Sequence, residues 1–178
     1  DAATRLDDAI KRLHHRGPDD SGHWSEAGTH LGFTRLAIID LTESGHQPMV
    51  SPDGRYVIVF NGEIYNFPDL RAQLDAAGET FRGHSDTEVL LRVFMREGLE
   101  SCLAKLRGMF AFAVWDRQQK TLSLARDRLG VKPLVYSETP RAFGFGSELQ
   151  ALFALAPALS RAQDIQGIDH LTSSPSFT

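Results

Sequence analysis

Residues 56–60, Tyr-Val-Ile-Val-Phe, predict a largely buried β-strand, because β-branched and aromatic side chains pack well on a pleated surface. The dipeptide Asn61-Gly62 follows directly and accepts positive φ angles, so we expect the strand to stop at Phe60 and the chain to turn. An isolated Asn-Gly most often forms a hairpin. Here residues 63–66 do not begin an alternating return strand, which favours a site whose polar groups are held at the end of a rigid element.

The other predicted strands and helices occur in runs rather than in strict alternation. An amphipathic helix over residues 4–14, capped by Thr4, precedes strands at 23–24 and 29–39. Three helices follow the central strand. The first is capped by Asn66 and ends at Gly78, the second is capped by Ser85 and ends at Gly98, and a shorter one covers residues 99–106. Later elements are strands at 109–115, 121–125, 134–136 and 142–145 and a helix at 147–153. Such runs indicate an α+β fold with mostly antiparallel sheets.

The composition of the 178 residues is that of an ordinary globular domain, and it excludes several classes of function. A net charge of −4 without a basic stripe argues against a nucleic-acid partner. No apolar run approaches the ~20 residues of a membrane span. The single cysteine, Cys102, excludes an intrachain disulfide and a cysteine zinc cluster, and it fits a reducing, cytoplasmic compartment. The chain starts with neither an initiator methionine nor a signal peptide, so we expect it to begin inside a longer one.

Seven segments carry a more specific signal: HHRGPDDSG (14–22), RLAIID (35–40), FNGEIYN (60–66), HSDTEVLL (84–91), LRGMFAFAVWD (106–116), ARDRLGVKPL (125–134) and FGSELQAL (145–152). In order and spacing they resemble the glutaminase domain of class II glutamine amidotransferases, most closely that of glutamine-hydrolysing asparagine synthetases. The resemblance covers roughly residues 5–155. It implies the four-layer α/β/β/α N-terminal-nucleophile sandwich, with two mostly antiparallel sheets and the opening strand missing from this chain.

The resemblance implies hydrolysis of glutamine to glutamate and ammonia, which an ATP-using domain then uses for asparagine biosynthesis. The nucleophile in this family is an N-terminal cysteine whose own α-amine, with a pKa near ~7.7–8.0, accepts the thiol proton. That cysteine is absent here. Cys102 lies on a predicted helix without a free α-amine and cannot replace it. We therefore expect this chain alone to have no glutaminase activity.

The same resemblance assigns roles to individual side chains. Arg35 would bind the α-carboxylate of glutamine through paired guanidinium donors, and Asp86 would bind its α-ammonium group. The Asn61 side-chain amide and the Gly62 backbone N–H would form the oxyanion hole. Glu63 would help bind the amino end of the substrate. The pocket lining would also include Leu36, Ala37, Ile38 and Ile39, mainly through their backbone groups.

Arg35 and Asp86 each also have a purely structural interpretation. Arg35 could be a surface arginine with a buried stem. Asp86 lies in the first turn of a helix, where the macrodipole favours a carboxylate. The two roles of Asp86 can coexist, because Ser85 and Glu88 match a capping box and can satisfy the helix start between them.

We expect residues 1–155 to form a glutaminase domain truncated at its N-terminus, and residues 156–178 to be a linker or the torn start of a synthetase domain. Expected partners are glutamine and the synthetase domain of the same parent chain, and the resemblance allows a homodimer of that parent. No cofactor is expected here, since ATP and Mg²⁺ would belong to the synthetase domain. No metal is expected either, because no known ligand spacing is matched by His14, His15, His23, Asp19 and Asp20.

Two alternatives of different class remain open from the sequence. The chain could be a complete but non-catalytic domain that binds glutamine or a partner without hydrolysing it. It could also be a metal hydrolase, which metal analysis of the purified protein would reveal.

Overall fold

The computed structural model describes residues 2–36, 45–140 and 142–155. The predicted pocket residues Ala37, Ile38 and Ile39 lie outside these ranges. The described elements are α1 (Ala2–Arg12), β1 (Asp20–Glu26), β2 (Thr29–Arg35), β3 (Met49–Val50), β4 (Tyr56–Ile64), α2 (Phe67–Ala76), α3 (Asp86–Lys105), β5 (Gly108–Asp116), β6 (Thr121–Arg126), β7 (Val135–Thr139), β8 (Ala142–Gly146) and α4 (Leu149–Leu155). None of the described helices is long and apolar enough to cross a membrane.

These elements form four layers around an antiparallel sheet of order β3-β4-β5-β6. One face of this sheet packs against α2 and α3. The other face packs against two antiparallel hairpins, β1–β2 and β7–β8. Helices α1 and α4 pack against each other in the outermost layer. The predicted α/β/β/α arrangement is therefore confirmed.

The hairpin layer is divided in the described chain, whereas we expected one sheet there. A groove of about 300 Å³ lies between the two hairpins, with β4 and β5 beneath it and α1 and α4 also lining it. Its lining is mainly apolar, with Leu31, Phe33, Val59 and Phe145 among its members.

Strand β4 is buried on both faces, which explains why its sequence is almost continuously apolar. Ile58 and Phe60 face α2 and α3 in the larger core cluster. Val57 and Val59 point the opposite way, into the cluster beneath the hairpins. Full burial of each such side chain stabilises the fold by about 1.5–3 kcal/mol, so this strand contributes to both halves of the core.

The prediction that this strand ends at Phe60 is wrong. Strand β4 continues to Ile64, and Asn61 and Gly62 pair with Ala111 and Phe110 of β5. Neither residue has a positive φ. Glycine is needed here for close backbone approach, because a Cβ on Gly62 would lie 2.2 Å from the carbonyl oxygen of Met109.

Two of the predicted helix caps differ from the structure. Thr4 lies inside α1 rather than at its start. Asn66 occupies the N-cap position of α2 but makes no side-chain cap. Its amide instead bonds the chain before β5, donating to Lys105 O at 3.0 Å and accepting from the Arg107 N–H at 2.9 Å. These two bonds connect the end of β4 to the entry of β5.

The predicted cap of α3 is confirmed in one half. The Ser85 hydroxyl accepts a hydrogen bond from the Glu88 N–H at 3.2 Å. The Glu88 carboxylate does not complete a capping box; it accepts from the backbone N–H groups of Arg82 and Gly83. Gly98, with φ of 77°, interrupts α3 where a helix end was predicted.

Asp127 organises the loop that follows β6. Its carboxylate accepts backbone N–H bonds from Phe110, Leu129, Val131 and Lys132 at 2.9–3.2 Å. Burial alone would raise the pKa of Asp127, but the four N–H donors outweigh it and hold that pKa below its ordinary value. The ionised carboxylate therefore stabilises the fold.

We expect Asp127→Asn to lower the free energy of unfolding at pH 7 by about 2–3 kcal/mol, because an amide cannot accept all four bonds. Because the folded-state pKa is lowered, this stability exists above the unfolded pKa, near ~3.9, and is lost as the pH falls through the folded pKa. Urea denaturation at pH 7 and at lower pH should show the difference between wild type and variant shrinking with acid. Asp7→Asn, at an exposed position in α1, is the control, and an equal loss there would contradict the assignment.

Candidate functional site

A cavity of about 500 Å³ lies beside β4, where β2 ends and α3 begins. Its lining includes every predicted site residue that the structure describes: Arg35, Leu36, Asn61, Gly62, Glu63 and Asp86. These residues come from three separate parts of the sequence and are brought together by the fold. Leu36 lies just beyond the end of β2 and is 56% exposed, so it is not part of the strand predicted over residues 29–39.

The pairing of β4 with β5 determines where the Gly62 N–H points. In an antiparallel pair, alternate residues bond to the partner strand and the intervening ones point away. The Tyr65 N–H donates to Arg107 O at 2.7 Å, which fixes the alternation. Gly62, opposite Phe110, is an intervening residue, so its N–H points away from β5.

On that outer edge of β4, the N–H groups flanking Gly62 are both occupied by side chains. The Phe60 N–H donates to Gln47 Oε1 at 2.6 Å, and the Ile64 N–H donates to Asp86 Oδ2 at 3.0 Å. Strand β3 pairs only with Val57 and Ile58, so among the described strands none reaches Gly62 on this edge. The Gly62 N–H is thus directed to the side of β4 on which the cavity lies.

The Asn61 side chain contributes a second donor. Its Nδ2 atom is buried and has no hydrogen-bond partner among the described residues. A buried unpaired donor costs about 1–3 kcal/mol, so its presence in a lined cavity points to an acceptor that arrives with a ligand. Asn61 lies at the boundary of the cavity and the groove, since it lines both.

Arg35 is placed by the turn that precedes β1. Gly17 packs against its backbone so closely that a Cβ there would lie 2.6 Å from Arg35 N. The Asp19 N–H donates to Arg35 O at 3.0 Å, and Pro18 forms a bridge with the same residue. The segment around Gly17 therefore fixes the end of β2, from which the half-buried Arg35 side chain lines the cavity.

Asp86 is a desolvated carboxylate in the lining of the same cavity. It is 5% exposed, and Ser85 rather than Asp86 caps the helix. Burial raises the pKa of Asp86, and the negative charge of Glu63 acts in the same direction. Backbone N–H bonds, including that from Ile64, oppose the rise without cancelling it. A carboxylate of this kind gains from a cationic ligand that replaces its lost hydration.

Several cavity residues were not predicted from the sequence. The unassigned lining residues that carry side-chain hydrogen-bonding groups include His15, Arg16, Gln47, Thr87 and Lys132. Lys132 belongs to one of the seven resemblance segments, which was a usable signal. Gln47 gave none, because its role depends on strand register. Among the described residues, no group of His, Cys, Asp or Glu side chains is arranged to hold a metal ion.

A protein family described as the glutamine amidotransferase domain matches residues 1–177. The chain belongs to this family. Asparagine synthetase [glutamine-hydrolyzing] 3 of Bacillus subtilis (strain 168) is 44% identical to this amidotransferase domain over 168 residues, which is 93% of the chain and 27% of the relative. Asparagine synthetase [glutamine-hydrolyzing] 1 of the same organism is 47% identical over 138 residues, 78% of the chain and 22% of the relative. The resemblance found in the sequence is thereby confirmed, and the domain spans only about a quarter of these relatives.

Solved structures agree on the fold of the domain. A glutamine phosphoribosylpyrophosphate amidotransferase from B. subtilis, complexed with ADP and GMP, superposes with a TM-score of 0.70 at 24% identity, covering 83% of this chain and 39% of that one. The allosteric regulatory enzyme of purine biosynthesis gives a TM-score of 0.59 at 27% identity, covering 71% of this chain and 29% of that one. The N-terminal-nucleophile sandwich expected from the sequence is confirmed.

The thiol of Cys102 should be unreactive in the folded amidotransferase domain. Its side chain is fully buried in α3, and burial raises its pKa to about 12. We expect a small disulfide reagent at pH 8 to modify the native protein more than about 100-fold more slowly than the unfolded protein, because little thiolate forms and access is closed. Absorbance of the released thiol gives both rates. Rapid modification of the native protein would show that Cys102 is accessible and reopen a chemical role for it.

Proposed function

We propose that this domain binds glutamine in the cavity beside β4 and hydrolyses its side-chain amide to glutamate and ammonia once an N-terminal cysteine is supplied. The observation that carries the proposal is the buried Asn61 Nδ2, which has no partner within the part of the chain that the structure describes, next to the outward Gly62 N–H. Two neighbouring donors in the lining of one cavity are suited to an oxygen that becomes negative in acyl transfer.

Recognition of a free amino acid is assigned to charges at two parts of the same cavity. The Arg35 guanidinium takes the α-carboxylate, and Asp86, with Glu63, takes the α-ammonium group. The burial of Asp86 supports this role, since a substrate ammonium relieves a carboxylate that the fold leaves poorly solvated. Together these residues select a zwitterion, and the amide end of glutamine then reaches Asn61 and Gly62.

The nucleophile is assigned to a strand outside the 178 residues. The groove between the hairpins is apolar, lies over β4 and β5, and meets the cavity at Asn61. A strand seated there could present an N-terminal cysteine thiol to the substrate amide. The thiol proton passes to the α-amine as the sulfur attacks the amide carbon, and the α-ammonium then gives that proton to the leaving nitrogen. Ammonia departs, a thioester remains, and water hydrolyses the thioester to glutamate and the free thiol.

The ammonia is assigned to an ATP-dependent amidation of asparagine-synthetase type in the longer parent protein. This part of the proposal is supported by the names of the relatives and by the small share of their length that the chain covers. It makes a synthetase domain the partner of this one, and places the need for ATP and Mg²⁺ there.

The deciding experiment compares glutamate release by the 178-residue chain with release by a version extended at its N-terminus with a strand that begins Cys-Gly-Ile. We expect activity only in the extended protein. Within it, Asn61→Ala should lower kcat by about 10²–10³-fold, because one oxyanion donor is lost.

The control is the extended protein with its new cysteine replaced by serine. Hydrolysis by the unextended chain would contradict the assignment of the nucleophile. A folded extended protein that binds glutamine without hydrolysing it would favour a non-catalytic binding domain.

Replacing Asp86 should weaken glutamine binding without lowering the stability of the fold. Burial raises the folded-state pKa of Asp86, so the ionised group destabilises the fold at neutral pH, and this cost appears as the pH rises through that pKa. Asn at this position can still accept the Ile64 N–H bond. We therefore expect Asp86→Asn to unfold no more easily at pH 7 while binding glutamine about 10- to 100-fold more weakly.

Calorimetric titration with glutamine and thermal unfolding measure the two quantities. Asp69→Asn is the matched control, since Asp69 is an exposed carboxylate in the first turn of α2. Unchanged glutamine affinity in Asp86→Asn would remove Asp86 from the binding site.

A further inference from the structure

The register of β3 on β4 shows which residue would pair with Gly62 if the ladder continued. Met49 pairs with Ile58 and Val50 with Val57, and the Ser51 N–H donates to Tyr56 O at 2.8 Å. Extending this antiparallel register toward the N-terminus sets residue 47 opposite Phe60 and residue 45 opposite Gly62. By the same alternation both would be hydrogen-bonded pairs, so the backbone at residue 45 would occupy the Gly62 N–H.

At Phe60 a side chain takes the place of that backbone pairing. Gln47 Oε1 accepts from the Phe60 N–H at 2.6 Å, and Gln47 Nε2 donates to Phe60 O at 3.3 Å. A primary amide presents its carbonyl acceptor and one of its two N–H donors side by side, so it satisfies both backbone groups of Phe60. The Gln47 backbone is directed elsewhere, since a Cβ on Gly22 would lie only 2.0 Å from Gln47 O.

We propose that Gln47 is a positioning residue for the oxyanion hole. By pairing Phe60 through its side chain, it ends the β3–β4 ladder one step before Gly62 and keeps the Gly62 N–H available to a ligand. It also fixes the backbone immediately before Asn61, whose side chain supplies the other donor. This inference rests on the proposed function of Asn61 and Gly62.

Burial and a further contact support the same role. Gln47 is 4% exposed although its side chain is polar, and it lines the cavity. Its Nε2 atom also lies 3.4 Å from the hydroxyl of Thr87, the residue after Asp86. One buried amide thus connects the edge of β4 with the start of α3, so the oxyanion donors and the ammonium-binding carboxylate keep a fixed relation.

We expect two substitutions of Gln47 to affect activity differently. Gln47→Leu has a similar size but leaves the Phe60 N–H and carbonyl unpaired. Gln47→Glu keeps the shape, and its protonated carboxyl can accept and donate as the amide does, whereas the ionised form meets the Phe60 carbonyl with like partial charge. The glutamate variant should therefore behave like wild type at low pH and like the leucine variant at high pH.

The first measurement is steady-state glutamine hydrolysis in the protein extended with the Cys-Gly-Ile strand. We expect Gln47→Leu to lower kcat by about 10-fold or more, part of the cost of losing an oxyanion donor. The KM should change by less than about threefold, since Arg35 and Asp86 are retained. For Gln47→Glu, kcat relative to wild type should rise as the pH is lowered from about 8 to about 6, as expected of a buried glutamate.

Ser51→Ala is the matched control. Ser51 is 3% exposed and its hydroxyl accepts from the Tyr56 N–H at 2.8 Å, so it is a buried side-chain-to-backbone bond at the opposite end of the same ladder. It should destabilise the protein without lowering kcat. Any of three results would overturn the proposal. They are a loss of kcat in Ser51→Ala equal to that in Gln47→Leu, an unchanged kcat in Gln47→Leu, or a ratio of kcat between Gln47→Glu and wild type that does not change with pH.

A second measurement does not depend on activity. Amide hydrogen exchange of the 178-residue chain, followed by NMR, should show the Phe60 amide protected in wild type and exchanging at least about 10-fold faster in Gln47→Leu, with the Gly62 amide poorly protected in wild type. A Phe60 amide that is unprotected, or indifferent to the substitution, would overturn the positioning role. If the extended protein proves inactive, the proposed function fails while this exchange experiment still decides the role of Gln47.

Discussion

The pairing of β4 with β5 is the constraint on which the other features depend. Both faces of this strand pair are buried, so its residues take part in the core beneath the hairpins and in the core beneath α2 and α3. Because the register is continuous from Tyr56 to Ile64, the direction of every backbone group along β4 is fixed. The outward N–H groups of Phe60, Gly62 and Ile64 are a consequence of this pairing and not of a special loop.

The candidate site consists of groups that the fold leaves incompletely satisfied. Asn61 Nδ2 is buried without a partner among the described residues, and Asp86 is ionisable yet almost inaccessible to solvent. Each such group costs stability in the absence of a ligand. The surrounding protein offsets this cost with a large core and with carboxylates such as Asp127 that are fully bonded. A concentration of such unsatisfied groups in one cavity is typical of a functional site.

Much of this arrangement could be predicted from the sequence, and the exceptions have physical causes. The layered α+β fold follows from runs of strands and helices, and Ser85 could be identified as a cap from local spacing. Asn61-Gly62 was misjudged as a turn because local propensity carries no information about a partner strand; the closeness of Met109 explains the glycine.

The cavity residues divide in the same way. Lys132 lies in a resemblance segment but was not predicted as a site residue. Arg35 and Asp86, in other such segments, were predicted from the sequence, and their roles remain predictions. Gln47 could not be, because its contact with Phe60 depends on where the β3–β4 ladder stops. Ala37, Ile38 and Ile39 lie outside the described residues, and their assignment to the pocket also stays a prediction.

The groove between the two hairpins has a consequence for cooperativity. As described, β1–β2 and β7–β8 share no backbone ladder with each other, so each can open as its own local unit while the central sheet stays intact. A strand seated between them would join both hairpins into one hydrogen-bonded layer, and their opening would become a single event. A strand that carried the nucleophile would then also couple the folding of the two hairpins. Without it, unfolding of the hairpin layer would be less cooperative, even at positions far from the reacting atoms.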